Sequence, residues 1–376
     1  MDIKHFKELL RKKKLSSMKW FGKHRRDIGF ASLIVGSLAV ITIVGLLIVR
    51  DPLPAVDADV DDEPSNTVVF RHPLTGAVLD WTGGAVGPGI ELPLVFGVMI
   101  ENSAEAWPLA GLDQAFLVIE APVEANIPRF IAFFSDDQDV EKIGPVRSAR
   151  PYYLDWNDEL DAVYGHVGGS PDALELITQY GTYDLNEFFQ GEYYYRQNST
   201  RYAPHNAYTS SERLSSAVEE IVRIYGLEDE APTYDTWTFK DDEPSVETPV
   251  SFDLDWSDGV TYDVSWNYDA PTNAYVRDQR SAGLFIEGNN QVIANNVIVM
   301  ETDVTVLDAM GRRKLTTVGE GEALVFQDGN QIIATWKKTS RIDRLHFYDE
   351  AGNEIAMNAG KTWIEVVEDL EKVTIQ

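Results

Sequence analysis

A chain of 376 residues with no cysteine excludes disulfide frameworks, thiol nucleophiles, cysteine zinc sites and a lipid-modified N-terminal cysteine. Its 61 acidic against 32 basic side chains give a net charge of −29, a field that disfavours nucleic acid as a broad-surface partner. The charge is uneven, because residues 1–27 carry about +7 and residues 51–376 about −37.

Residues 28–49 contain no charged side chain. At a rise of about 1.5 Å per residue, a helix of that length crosses the roughly 30 Å hydrocarbon layer, so the segment predicts a transmembrane helix. The basic residues before it, from Lys4 to Arg26, predict a cytoplasmic tail (1–27) resting on anionic lipid headgroups, with the remainder of the chain outside. Arg50-Asp51-Pro52 follows the apolar run directly, which favours an uncleaved anchor; Ala55-Val56-Asp57-Ala58 is the competing cleavage candidate. Residues 50–69, rich in proline and acid, then read as an extended linker. Asp57, Asp59 and Asp61 match the start of a calcium loop, but Asp62 stands where the turn glycine belongs and Val68 where the last glutamate belongs, so no metal site is expected.

Residues 70–227 predict an α/β domain. Strand-like apolar runs at 94–100, 116–121, 127–134 and 163–167 alternate with helical patterns. Ser170-Pro171 starts a helix that Gly181 stops, and Leu214, Val218, Ile221 and Ile224 mark a second over 211–227. Residues 228–249, with eight acids and three prolines, predict a linker. Residues 250–376 predict a small all-β domain: 262–268 alternates with period two, 297–300 is apolar throughout, and Asp328-Gly329 marks a hairpin turn.

Three patches could carry chemistry. In Lys142-Ile143-Gly144-Pro145-Val146-Arg147-Ser148-Ala149-Arg150, a Gly-Pro loop could aim Arg147 and Arg150 into a cleft, where planar forks grip a carboxylate or phosphate. Salt bridges to the acidic surface are the competing reading. In His166-Val167-Gly168-Gly169-Ser170, two glycines precede a helix N-terminus hospitable to an anion, or simply serve a tight turn, and His166 is either a core histidine or a base. The segment from Tyr193 to Arg196 and on through Arg201, Tyr202, His205 and Asn206 is aromatic and basic, suited to a sugar or lipid headgroup or to packing on itself. No nucleophile elbow, zinc helix or nucleotide loop is present, and no cofactor is expected.

Taken together, Pro73-Leu74-Thr75-Gly76, Glu101-Asn102, Gly111-Leu112-Asp113-Gln114-Ala115, Arg129-Phe130, the Lys142 to Arg150 segment, Gly165 to Ser170 and Ala203-Pro204-His205-Asn206 resemble the YerB-like family of bacterial envelope proteins. The second domain carries the same resemblance through Gly319-Glu320-Gly321-Glu322-Ala323, Thr335-Trp336-Lys337-Lys338 and Gly360-Lys361-Thr362-Trp363-Ile364. It implies a two-domain envelope protein and supplies no catalytic residues. Members are often described as lipoproteins, whereas here the helix over 28–49 must do the anchoring. In layout the chain is also similar to the LytR-CpsA-Psr envelope phosphotransferases, although Arg147 is followed by Ser148 and not by the acid of that family's Arg-Asp pair.

Two functions compete. One is a non-catalytic envelope protein that binds an anionic ligand or protein partner through Arg147 and Arg150, with Lys142, Asp113, His166, Gly168, Gly169, Arg201, His205 and Asn206 as further site candidates. The other is a phosphotransferase or hydrolase acting on a lipid-linked phosphorylated precursor, in which Arg147, Arg150 and Arg201 neutralise phosphates. Asp113 or Glu120 would then hold a divalent ion or act as base, and His205 would be the acid. Both readings place the C-terminal part outside the membrane. A reporter fused after Gln376 is therefore expected to be active only outside the cytoplasm, and cytoplasmic activity would overturn the topology.

Overall fold

The apolar runs of the chain fold as strands because most are covered on both faces. The computed structural model describes residues 70–79, 91–199, 201–227, 230–245, 248–256 and 259–376, so the tail, the transmembrane helix expected over 28–49 and the linker 50–69 lie outside the described residues. Among the described residues no helix is long and apolar enough to cross a membrane.

In chain order, β1 (Val95–Ile100), β2 (Leu117–Pro122) and β3 (Pro128–Ser135) are followed by helix α1 (Pro151–Asp158), β4 (Val163–His166), α2 (Pro171–Tyr180) and β5 (Asp184–Asn186). A short ribbon, β6 (Tyr195–Arg196) with β7 (Ala207–Tyr208), precedes α3 (Ser211–Tyr225). The expected cap of α2 forms, and α3 is capped by Ser210, a residue not expected in that role. The Ser170 and Ser210 side chains accept hydrogen bonds from Ala173 and Arg213 N–H, and Gly181 and Gly226 close α2 and α3 in the left-handed conformation. Helix α1 was not foreseen: it starts on Pro151 without a side-chain cap and buries Tyr152, Tyr153, Leu154 and Trp156.

The second half supplies β8 (Phe239–Lys240), β9 (Phe252–Leu254), β10 (Val264–Asp269), β11 (Ala274–Gln279), β12 (Val292–Ala294), β13 (Asn296–Glu301), β14 (Val304–Val306) and β15 (Arg313–Leu315). It continues with the hairpin β16 (Gly319–Gln327) and β17 (Asn330–Lys338), then β18 (His346–Asp349), β19 (Met357–Asn358), β20 (Thr362–Val367) and β21 (Val373–Ile375). Asp328 and Gly329 turn the hairpin with positive φ, as its sequence requires.

The strands of the two halves do not form separate sheets. One ten-stranded sheet runs β18-β17-β16-β13-β20-β2-β3-β1-β4-β5, and its joint is β20, parallel to both β13 and β2. Residues Val68–Gln376 accordingly form a single compact unit. On one face α1 and α2 cover Leu117, Ile119, Ile131, Phe133, Ile298 and Ile364. On the other, the five-stranded antiparallel sheet β12-β11-β10-β9-β21, together with α3, covers Val118, Phe130, Phe134, Val299 and Trp363. The alternation of odd and even positions between the two clusters is the period of two expected of strands.

Within 228–249, expected as a linker, Trp237 and Phe239–Lys240 pack against this core. Trp237 is buried under the Arg344 guanidinium, 3.9 Å away, and donates its Nε1–H to the Leu345 carbonyl. Phe239–Lys240 pairs in parallel with Met357–Asn358. The exposed residues from Asp241 to Pro244 still offer protease a site. Limited proteolysis is therefore expected to cut within 228–249, with the two fragments co-eluting on gel filtration until denaturant is added. Separation under native conditions would contradict the shared sheet.

Candidate functional site

The segment from Ile143 to Arg150 is sewn across one edge of the ten-stranded sheet. Val146 N–H donates to Ala207 O, Arg147 N–H to Met99 O, and Glu101 N–H to Pro145 O at 3.0 Å. On its other side, Val167 N–H donates to Arg147 O, Ala149 N–H to Gly168 O and Ser170 N–H to Ala149 O. Gly144 has φ +137°, and a Cβ there would lie 2.9 Å from Ala207 O, so only glycine permits this crossing. The segment thus lies where parallel strands β1 and β4 end, the edge at which α/β sheets commonly take ligands.

Four side chains meet at Glu101, just beyond β1. Its Oε1 accepts the Ser103 hydroxyl at 2.7 Å and lies 3.0 Å from both His205 Nδ1 and Arg147 Nε. Glu101 is only 3% exposed, and its Oε2 is buried with no hydrogen-bond partner. Arg147 is about a quarter exposed, and Glu101 is its one ion-pair partner among the described residues. Beside it, Arg129 at the start of β3 is 8% exposed, makes no ion pair among the described residues, and donates Nη1–H to the Ser148 carbonyl at 2.9 Å. Burial, then the charges of Arg150 and Arg147, lower its pKa below the usual arginine value.

Arg150 has a different employment. Its Nε and Nη2 donate to Oε1 and Oε2 of Glu124, both at 2.7 Å, and its Nη1 to Ala149 O. The fork expected to grip a ligand is thus already closed on a carboxylate, which corrects the assignment of Arg150 as a ligand grip. Burial pushes the Glu124 carboxyl up, but the hydrogen bonds and charge of Arg150 outweigh it and hold the pKa below the ordinary glutamate value.

The other expected residues fall into two groups. His166 is fully buried between Gly168 O and Asp184, with 2.7 Å from Nδ1 and from Nε2, and serves as a brace and not as a base. Gly168 and Gly169 lie beside Arg147 and Arg150 through the Ala149–Gly169 bridge. Yet Gly168 N–H is taken up by the Asn186 side chain and Ser170 N–H by Ala149 O, so this turn has few donors left for an anion. Asn206, also fully buried, holds Asn198 and Arg196 and supports the ribbon that delivers His205.

Lys142, Arg201 and Asp113 face other partners. Lys142 is held by Glu287 and Gln197, Arg201 by Tyr208 OH and Pro108 O, and Asp113 by Asn290. Arg129, Glu101 and Ser103 went unassigned as site residues in the sequence. The available signal was a charge inside or at the end of an apolar run, where an unpaired cation or acid is costly. Elsewhere, a depression of about 530 Å³ on the β16–β17 hairpin, lined by Leu324, Ile333, Leu370, Glu322 and Glu350, touches none of these residues.

Residues 82–222 match the N-terminal domain, and residues 252–364 the C-terminal domain, of the family described as "Protein of unknown function (DUF3048)". The chain is 32% identical, over 84% of its length and 91% of the relative, to the protein named "Putative lipoprotein YerB" of Bacillus subtilis (strain 168). It is also similar to the crystal structure of the YerB protein from Bacillus subtilis, with a TM-score of 0.69 at 29% identity, covering 82% of this chain and 99% of that one.

The Arg150–Glu124 pair generates its own prediction. Because the Glu124 pKa is lowered on folding, the pair's stabilisation is fully present above the ordinary glutamate value of 4.5 and is lost as pH falls through the lowered one. Arg150→Ala should cost about 1–3 kcal/mol at neutral pH in denaturant unfolding and flatten the acid limb of the stability curve. An unchanged midpoint at both ends of that range would show the pair to be energetically idle.

Proposed function

The chain belongs to the DUF3048 family, the family of YerB, and from that premise we propose that it is an extracytoplasmic protein of the cell envelope that binds an anionic ligand or partner at the Arg147 seam. The anchor in this reading is the apolar segment 28–49, since a chain without cysteine has no site for lipidation. Its relative's name speaks of a lipoprotein, an alternative way of tethering a similar protein to a membrane.

One observation carries the anion reading. In a chain of net charge −29, three guanidinium groups meet only two carboxylates, Glu101 and Glu124, and about a quarter of the Arg147 side chain stays open to solvent. Two neighbouring acids have cations of their own: Glu187 faces Arg196, and Asp172 lies 3.9 Å from Arg312. Such an excess favours a bound anion, which a planar fork holds bidentately.

A second reading, hydrolysis or phosphoryl transfer, is supported by Glu101, Ser103 and His205 lying within hydrogen-bonding reach of each other beside Arg147. It shifts the role of carboxylate base from Asp113, whose partner is Asn290, or Glu120, whose partner is Arg277, to Glu101.

A thermal-unfolding screen of the full chain in detergent micelles tests the binding reading. Phosphate, sulfate, citrate and sugar phosphates are compared at matched ionic strength. An anion at a hundred times its Kd adds about 2.7 kcal/mol of stability and raises Tm by several degrees. We expect at least one such shift, lost in Arg147→Gln and retained in Lys142→Gln. The absence of any anion-specific shift, or its persistence in Arg147→Gln, would remove the proposal.

A further inference from the structure

The charge surrounding the Arg147 seam narrows the chemistry of its ligand, given the reading above that the seam binds an anion. Arg129, Arg147 and Arg150 exceed Glu101 and Glu124 by one positive charge. Helix α1 begins at Arg150 and Pro151 with no side-chain cap and no acid in its first turn, whereas α2, which begins beside Ala149, is capped by Ser170 and carries Asp172 in its first turn. The α1 N-terminus adds roughly half a positive charge, so the local excess approaches about one and a half.

The geometry divides the arginines by task. Arg150 is closed on Glu124 and lends charge and rigidity. Arg147 meets Glu101 through its Nε and is about a quarter exposed. Arg129 makes one hydrogen bond, to the Ser148 carbonyl midway between the other two, and has no carboxylate partner among the described residues although it is more than nine-tenths buried. Placing a guanidinium there, against the repulsion of two more, is unfavourable in the empty protein, and a multiply charged anion relieves that cost more than a single charge does.

We propose that the ligand group is a doubly charged tetrahedral anion of the phosphate monoester class, held by Arg129 and Arg147 before the N-terminus of α1. A planar carboxylate meets one fork well. A phosphoryl group offers three terminal oxygens, enough for both guanidinium groups and a backbone N–H together.

Calorimetric titration of the full chain in detergent micelles at pH 8 tests this, using phenyl phosphate, a dianion there because its second pKa is about 6, with phenyl sulfate as a monoanion of the same shape and benzoate as a planar one. Phenyl phosphate is expected to bind at least about tenfold more tightly than the other two. Arg129→Lys and Arg147→Lys should each weaken it by about tenfold, because a point charge does not reproduce the fork. The more exposed Arg147→Lys serves as the independent variant should Arg129→Lys fail to fold. Equal affinity for phenyl sulfate or benzoate, still lost in Arg147→Lys, would overturn the dianion assignment and leave the anion site standing. Phenyl phosphate binding that survives both substitutions would overturn the site itself, and no binding of any probe would overturn both.

Discussion

The pairing of β2 with β20 is the constraint on which the rest of the molecule depends. It joins strands far apart in sequence, and it sets Glu120 directly beside Glu365 in the parallel register. Both carboxyls are fully buried, with Arg277 from the second sheet between them: its Nη2 donates to Glu120 Oε2 at 2.9 Å, and its Nε lies 4.0 Å from Glu365 Oε1. Trp266 Nε1–H also donates to Glu365, Asn102 donates to Glu120, and Phe285 and Trp363 lie against the guanidinium plane. Burial raises both carboxyl pKa values, and for Glu365 the charge of Glu120 adds to it. One arginine cannot neutralise two dry carboxylates, so the joint favours a state with one proton held between them.

This polar centre and the arginine seam share a border. Asn102, which donates to Glu120, follows Glu101 in sequence, and Trp107 Nε1–H donates to Asn102 in turn. The seam is therefore mounted on strand ends that are themselves fixed by a buried hydrogen-bonded network, and β1, β3 and β4 bring Glu101, Arg129 and the His166 turn to one edge. A site built this way gains precision from the sheet and not from its loops.

Much of this was legible in the residues, and the reasons differ by element. The strands over 94–100, 116–121 and 127–134 announced themselves because two covered faces demand unbroken apolar runs. Helix α2 did so through its Ser cap and terminal glycine, and α3 through the spacing of Leu214, Val218, Ile221 and Ile224. Helix α1 did not: its cap residue is an arginine, and its aromatic residues pack on three sides. The fusion of two expected domains into one sheet had no local signature, because β20 carries the same apolar pattern whether its neighbour is β13 alone or β2 as well. Arg147 was marked by its Gly-Pro loop, but Glu124 as partner of Arg150, and Arg129 as a cation lacking a partner, depend on which strands lie side by side. That information is absent from any window of sequence.

The position of β20 also has a bearing on how the protein is made. Until residues 362–367 arrive, β2 and β13 each have an open edge, and the half of the chain synthesised first exposes backbone donors and acceptors that only a late strand can satisfy. Vectorial synthesis therefore cannot complete the sheet piecemeal.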